Sequence, residues 1–180
     1  MSLLESFKKL GNYFGAYKVH LCPEVKGQVS ENGEPLINAK IERRLRFSDG
    51  KYVEDFAYTD DKGGFSFPEA NMRSNQPAVP FAEIFTSQSL LLKHKSKEYC
   101  LWGARLSGFS FREEYAKKLG RLVADISSDK VLFKFENTKG EDYKFEAVSI
   151  GRWNEDFEII DLDSYFDLSD IESDDEECQL

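Results

Sequence analysis

The stretch that decides the fold is Gly27–Phe67, GQVSENGEPLINAKIERRLRFSDGKYVEDFAYTDDKGGFSF. Apolar residues recur in it at every second position: Ile37, Ala39 and Ile41 share a phase, and Leu45 and Phe47 share the next. A period of two marks strands that bury one face, because successive side chains point to opposite sides of a sheet. Three punctuations break the alternation: ENGEP at 31–35 with Asn32-Gly33 at its tip, SDGK at 48–51 and DDKGG at 60–64. Asn-Gly and Asp-Gly pairs accept the positive φ that tight hairpin turns demand. YVEDFAYTD and FSFPE supply further strands. Four strands parted by glycine-bearing turns at such short spacing predict an antiparallel sandwich or barrel.

The same periods extend outward. Upstream, Tyr17, Val19 and Leu21 alternate, and Val25 and Val29 resume after Pro23. Before them, residues 1–16 read as an amphipathic helix: Ser2 and Glu5 have capping-box spacing, and Leu3, Phe7, Leu10 and Phe14 recur on one face. Downstream, NMRSNQPAVP at 71–80 reads as a loop, and AEIFTSQSLLLKH and YCLWGAR flank the turn KSKE as a long hairpin. Ser110 and Glu113 predict a short helix with Phe111, Tyr115 and Leu119 on one face and Gly120 at its end. RLVADIS, KVLFKFE and YKFEAVSIGRW follow as strands. The expectation is a mainly β, antiparallel sandwich of about eight strands, with an N-terminal helix over 1–16, the sandwich over 17–153 and an acidic–apolar extension over 154–180.

Gly27 and Val29, Asn32-Gly33-Glu34-Pro35, Ala39 and Ile41, then Thr59-Asp60, Gly63 or Gly64, Phe65 and Phe67 together resemble the carboxypeptidase-regulatory-like, or transthyretin-like, sandwich domain. Those motifs encode turns and core positions, so what they imply is a fold. More loosely, the body from YKVHLCPEVKG to SIGRW resembles a small bacterial family of lone cytoplasmic domains that neighbour toxin or effector genes. That resemblance implies an immunity role. Some transthyretin-like proteins hydrolyse 5-hydroxyisourate with histidines and a Tyr-Arg-Gly-Ser end; this chain ends ECQL and lacks that motif.

Charge is unevenly spread. Residues 154–180 hold 12 of the 33 acids and none of the 24 lysines and arginines, leaving a body of 21 acids against 24 bases. Within Phe157–Ile171 stand eight large apolar residues, which a purely solvating tail would not carry because exposed apolar area is unfavourable. The stretch therefore reads as a partner-binding segment, with Phe157, Tyr165, Phe166 and Leu168 as anchors and Asp156, Glu158, Asp161, Asp163, Asp167 and Asp170 meeting a basic protein. Residues 172–177, ESDDEE, read as solvated.

Other chemistries find little support. His20 falls out of phase with its strand's apolar face and His94 sits among lysines, so both read as surface histidines. A calcium loop starting at Asp161 would need an acid or amide at Tyr165 and glycine at Phe166, and no Cys or His pair has zinc spacing. Arg43, Arg44 and Arg46, with Lys93, Lys95 and Lys97, read as a solvated basic face rather than a nucleic-acid site. Cys22, Cys100 and Cys178 are an odd count at wide spacing, which fits unpaired thiols in a reducing compartment. No run reaches the roughly 18 apolar residues of a membrane span.

The expectation is thus a cytoplasmic, non-enzymatic binding protein without metal or cofactor, an immunity protein that blocks a basic toxin, a nuclease being the natural candidate because its cleft holds phosphates. Two alternatives stand beside it. One is an accessory domain whose acidic end folds back on Arg43, Arg44, Arg46 and the lysine turn. The other is a hydrolase with an unrecognised site.

Overall fold

The structure is a computed structural model that describes residues 15–139, 143–161 and 178. The helix expected over 1–16 lies almost wholly outside the described residues. The body is mainly β, as its alternation predicts, but with thirteen strands among the described residues rather than about eight. Several of the additional strands are two to five residues long, too short to register as periodic runs.

In chain order the strands are β1 (Tyr17–Cys22), β2 (Val25–Glu31), β3 (Glu34–Pro35), β4 (Lys40–Phe47), β5 (Tyr52–Tyr58), β6 (Gly64–Phe67) and β7 (Ala70–Ser74). The long hairpin β8 (Phe85–His94) and β9 (Lys97–Ser107) follows, then helix α1 (Glu113–Leu119). The chain continues through β10 (Leu122–Asp125), β11 (Val131–Phe135), β12 (Phe145–Ser149) and β13 (Glu158–Ile159). One sheet of seven strands runs in the order β13-β11-β12-β9-β8-β4-β5. Facing it are a small sheet β10-β2-β3, with β6 also on β2, and the pair β1-β7. Val19, Leu21, Val25 and Val29 from the smaller sheets pack with Ile41, Leu45, Leu90, Leu92, Leu101 and Trp102 in one core. Gln88 ties the layers: its amide donates to the Leu21 carbonyl at 2.7 Å and accepts from the Trp102 indole at 3.1 Å.

The deciding stretch owes its shape to a few polar groups. Asn32 and Gly33 have φ of 53° and 84°, and Asp125 accepts from both of their amides, at 3.0 and 2.7 Å. Thr59 donates to the Leu36 carbonyl and accepts from Ala39 N–H, while Asp60 accepts from the Lys62 and Gly64 amides. At Gly63 a Cβ would meet the Val29 carbonyl at 2.3 Å, so the close approach there requires glycine.

Four expectations change. Residues 36–39 are a turn rather than the start of a strand: Asn38 has φ of 53° and Ile37 is 60% exposed. Residues 71–74 belong to β7, which pairs with β1, so the expected loop begins later. The sheets are not wholly antiparallel, because β10 runs parallel to β2. The helix is where its spacing predicts, but Arg112 is its N-cap, no side-chain cap bond forms, and Phe111 stays exposed against His20. Tyr115 and Leu119 are buried as expected, with the Tyr115 ring 5.0 Å from both Phe135 and Phe145.

Candidate partner-binding surface

The first residues of the predicted partner-binding segment are built into the domain. Asp156 has φ of 53°; its carboxylate accepts from Glu136 N–H at 2.6 Å and lies 3.5 Å from the Lys118 ammonium. Lys118 is buried, donates to the Glu155 and Asp156 carbonyls, and sits over the Phe135 and Trp153 rings. Burial pushes the Lys118 ammonium below the usual lysine range, with Asp156 opposing that shift. The Phe157 ring packs 4.5 Å from Phe133 and 5.5 Å from Trp153, extending the aromatic core. Glu158 pairs with Lys134 across β13 and β11 and forms an ion pair with Lys144 at 2.6 Å, which lowers its pKa. Asp161 is exposed just beyond β13. Asp163, Tyr165, Phe166, Asp167, Leu168 and Asp170 lie outside the described residues. Sequence reasoning placed the boundary after residue 153; β13 shows the sheet reaching several residues further.

At Cys178 the expectation of three unpaired thiols is overturned. Cys100 and Cys178 form a disulfide, 78 residues apart in sequence with Cα atoms 5.3 Å apart, and Cys22 alone remains free among the described residues. A bulge explains why Cys100 is available. The register shifts between Leu90↔Trp102 and Leu91↔Cys100, which turns both Leu101 and Trp102 into the core and leaves Cys100 on the outer face. Cys178 packs with Leu91, Cys100 and Val148 in a small outer cluster, and its carbonyl accepts from Ser89 Oγ at 2.9 Å. Gly103 makes the approach possible, since a Cβ there would meet the Cys178 carbonyl at 2.6 Å. Cys22 is a core thiol, pushed up to about 12 by burial despite the nearby Arg43.

The outer face of the large sheet forms a grid fixed by register. Across β9, β8, β4 and β5 the rows are Glu98, Lys93, Lys40, Tyr58; Cys100, Leu91, Glu42, Phe56; Gly103, Ser89, Arg44, Glu54; and Arg105, Ser87, Arg46, Tyr52. Ser87, Ser89 and Gly103 make a low floor between long side chains, so a trough of about 630 Å³ opens there. Arg44, Arg46 and Arg105 stand along it with Tyr52, Phe56 and Phe85, and the Arg105 guanidinium lies 3.7 Å above the Phe85 ring. Glu42 is clasped by Lys40 at 2.8 Å, Arg44 at 3.0 Å and Lys93 at 3.1 Å. The hydrogen bond from Lys40, against the opposing effect of burial and aided by Lys93 and Arg44, brings its pKa down to about 2. Arg105 pairs with Glu83 at 2.6 Å, whereas Arg46 has no ion pair among the described residues.

Arg43 does not share that face. It points inward, 2% exposed, with two bonds to Asp55 at 2.9 and 2.6 Å and one to the Pro68 carbonyl at 2.7 Å. Strand parity separates it from Arg44 and Arg46, a distinction available in the sequence but hidden by the run of bases. His20 is likewise buried, against the expectation of a surface residue. Its ring meets Phe111 edge-on at 5.0 Å, burial lowers its pKa with Glu69 opposing, and its Nε2 has no hydrogen-bond partner among the described residues. His94 is half-buried with Glu31 at 3.6 Å. Among the described residues no group of three His, Cys, Asp or Glu side chains could hold a metal, and no helix is long and apolar enough to cross a membrane.

A family described as a domain of unknown function, DUF6795, matches residues 25–129. The match spans β2 through β10 and includes every residue that lines the trough, but ends before Cys178. No curated protein and no solved structure matches the chain.

Proposed function

This chain belongs to the DUF6795 family, and we propose that it is a non-enzymatic binding protein of bacterial immunity type. It neutralises a basic toxin, a nuclease being the natural candidate, by direct protein contact. On this reading the domain is a transthyretin-like scaffold and the residues from Asp156 to Asp170 read the partner. The observation that carries the reading is that this acidic–apolar stretch is held at both ends. Lys118, the aromatic core and β13 fix its start, and the Cys100–Cys178 disulfide returns the chain to the same sheet.

Such double anchoring lowers the ordering entropy that a free tail would lose on binding. The acids Asp163, Asp167 and Asp170 steer a basic cleft into contact, and Tyr165, Phe166 and Leu168 supply apolar area once water is expelled. Carboxylates seated in a nuclease cleft also occupy the place of its phosphates, which is how binding becomes inhibition.

The test is co-purification with a catalytically inactive, basic toxin from the same locus. The wild-type chain is expected to hold it stoichiometrically. Phe166→Ala together with Tyr165→Ala is expected to weaken binding by about 2 kcal/mol or more. A toxin that passes through the wild-type column unbound overturns the reading.

A further inference from the structure

Neither the partner-binding reading nor the core uses the trough of about 630 Å³ on the outer face. One line of register across β9, β8, β4 and β5 carries Arg105, Ser87, Arg46 and Tyr52, and the neighbouring line carries Ser89, Arg44 and Glu54. Four strands at about 4.8 Å spacing make each line roughly 14 Å long, with cations at one end and exposed rings at the other. We propose that the trough binds a free nucleoside diphosphate. Its phosphates lie between Arg46 and Arg105 over Ser87, and its base lies on the aromatic residues of β5.

The cationic end is built for phosphate. Ser87 is short and stands between two arginines on the flanking strands, so both guanidinium groups can lean over it. Arg46 is exposed and has no ion pair among the described residues. Arg105 is paired only with Glu83, and the two side chains are 43% and 76% exposed. Such a solvent-screened pair is weak, so a phosphate with more charge can take over the guanidinium. The Phe85 ring 3.7 Å beneath Arg105 holds its plane in place for that exchange. Two planar forks facing each other across one serine suit a diphosphate, one phosphoryl group for each.

The other end is built for a base and its sugar. The outward residues of β5 are Tyr52, Glu54 and Phe56, with the two rings 40% and 59% exposed. Aromatic rings stack on any base, because every base has a π-face. Glu54, between them, is exposed and in no ion pair among the described residues, which leaves its carboxylate to accept from ribose hydroxyls. An acidic peptide would satisfy the arginines but would meet repulsion at Glu54 and leave the rings unused. A nucleic-acid strand needs cations along its whole path. Here Glu83 and Glu54 close the two ends of the cationic stretch, Glu42 already occupies Lys40, Arg44 and Lys93, and the chain carries a net charge of −9. One nucleotide fits where a polymer does not. The inference goes beyond the partner-binding reading and uses none of residues 156–170, so either can fail without the other.

The experiment is isothermal titration of the full oxidised chain with ADP, UDP, inorganic pyrophosphate and a single-stranded oligothymidine, in low-salt buffer without divalent cations. ADP and UDP are expected to bind at a single site, with affinities within about fivefold of each other because stacking tolerates either base. Pyrophosphate, which has no ring to stack, is expected to bind at least about fivefold more weakly. Arg46→Ala should weaken ADP about tenfold by removing a charge-assisted bond, while Arg121→Ala, an exposed arginine beside β10, should leave it unchanged. Melting curves that match the wild type show that both variants are folded. Four results overturn the inference. Pyrophosphate binding as tightly as ADP would make the trough a bare anion patch, and oligothymidine binding more tightly than ADP would make a strand the occupant. Equal losses in Arg46→Ala and Arg121→Ala would move the binding away from the trough. No saturable binding of ADP or UDP below about 1 mM would leave it without this ligand.

Discussion

Arg43, Arg44 and Arg46 look alike in the sequence and do unlike things in the fold. Parity along β4 sends Arg44 and Arg46 outward and Arg43 into the core, where Asp55 and the Pro68 carbonyl satisfy it. A buried guanidinium that loses its carboxylate becomes an uncompensated charge. Asp55→Ala should therefore cost about 3 kcal/mol in urea unfolding at pH 7, and Arg43→Met added to it should recover about 1 kcal/mol or more. A loss below about 0.5 kcal/mol would mean the pair is only surface decoration. Asp125 is the other polar residue on which the deciding stretch leans. Although burial opposes it, hydrogen bonds from Ser127, the Gly33 amide and Ser30 hold its carboxyl well below the usual range. A depressed folded-state pKa gives stability that is fully present above the unfolded value near 4 and is lost as pH falls through the folded one. The stability gap between wild type and Asp125→Asn should accordingly be full at pH 6 and close below about pH 4 in acid titrations. A gap that stays constant to pH 2 would contradict the role assigned to the ionised carboxylate.

At the scale of elements, the hairpin and turn signals were legible and the exceptions have physical causes. The β8–β9 hairpin turns at Lys95-Ser96, both at positive φ, where KSKE predicts a turn. The bulge in the same hairpin was not legible. Leu90, Leu91, Leu92, Leu101 and Trp102 are all apolar, so no polar alternation marks which of them change face. With the bulge hidden, Cys100 looked like an ordinary buried thiol and its partner lay beyond any spacing rule. The consequence can be counted. Denatured, unreduced protein should show one reactive thiol, Cys22, and three after reduction; three before reduction would exclude the pairing. Gly103→Ala tests the anchor itself. The added methyl meets Cys178 and the Val148 side chain, so melting of the oxidised form should fall by several degrees, about 1–3 kcal/mol, while the reduced form changes less. Equal losses in both forms would show that Gly103 serves the sheet and not the anchor.

For the whole molecule, the two-layer mainly β body was readable because Gly27–Phe67 carries period, turns and polar turn-locks together. The candidate site was readable only in part. The acids and aromatics of 156–170 declare themselves by composition, whereas the outer-face trough exists only once register aligns Gly103, Ser89 and Arg44 across three strands. The disulfide also weakens the argument from cysteine count to a reducing compartment, since such bonds persist mainly where the surroundings are oxidising. The central proposal is that the doubly held acidic–apolar stretch reads a basic partner. The most direct measurement is capture from the native host with the wild-type chain beside Asp163→Asn/Asp167→Asn/Asp170→Asn, washed at low and high salt. The account predicts one basic protein retained by the wild type, weakened by salt and lost from the triple variant. The same protein held equally by both chains, or nothing held by either, would contradict it.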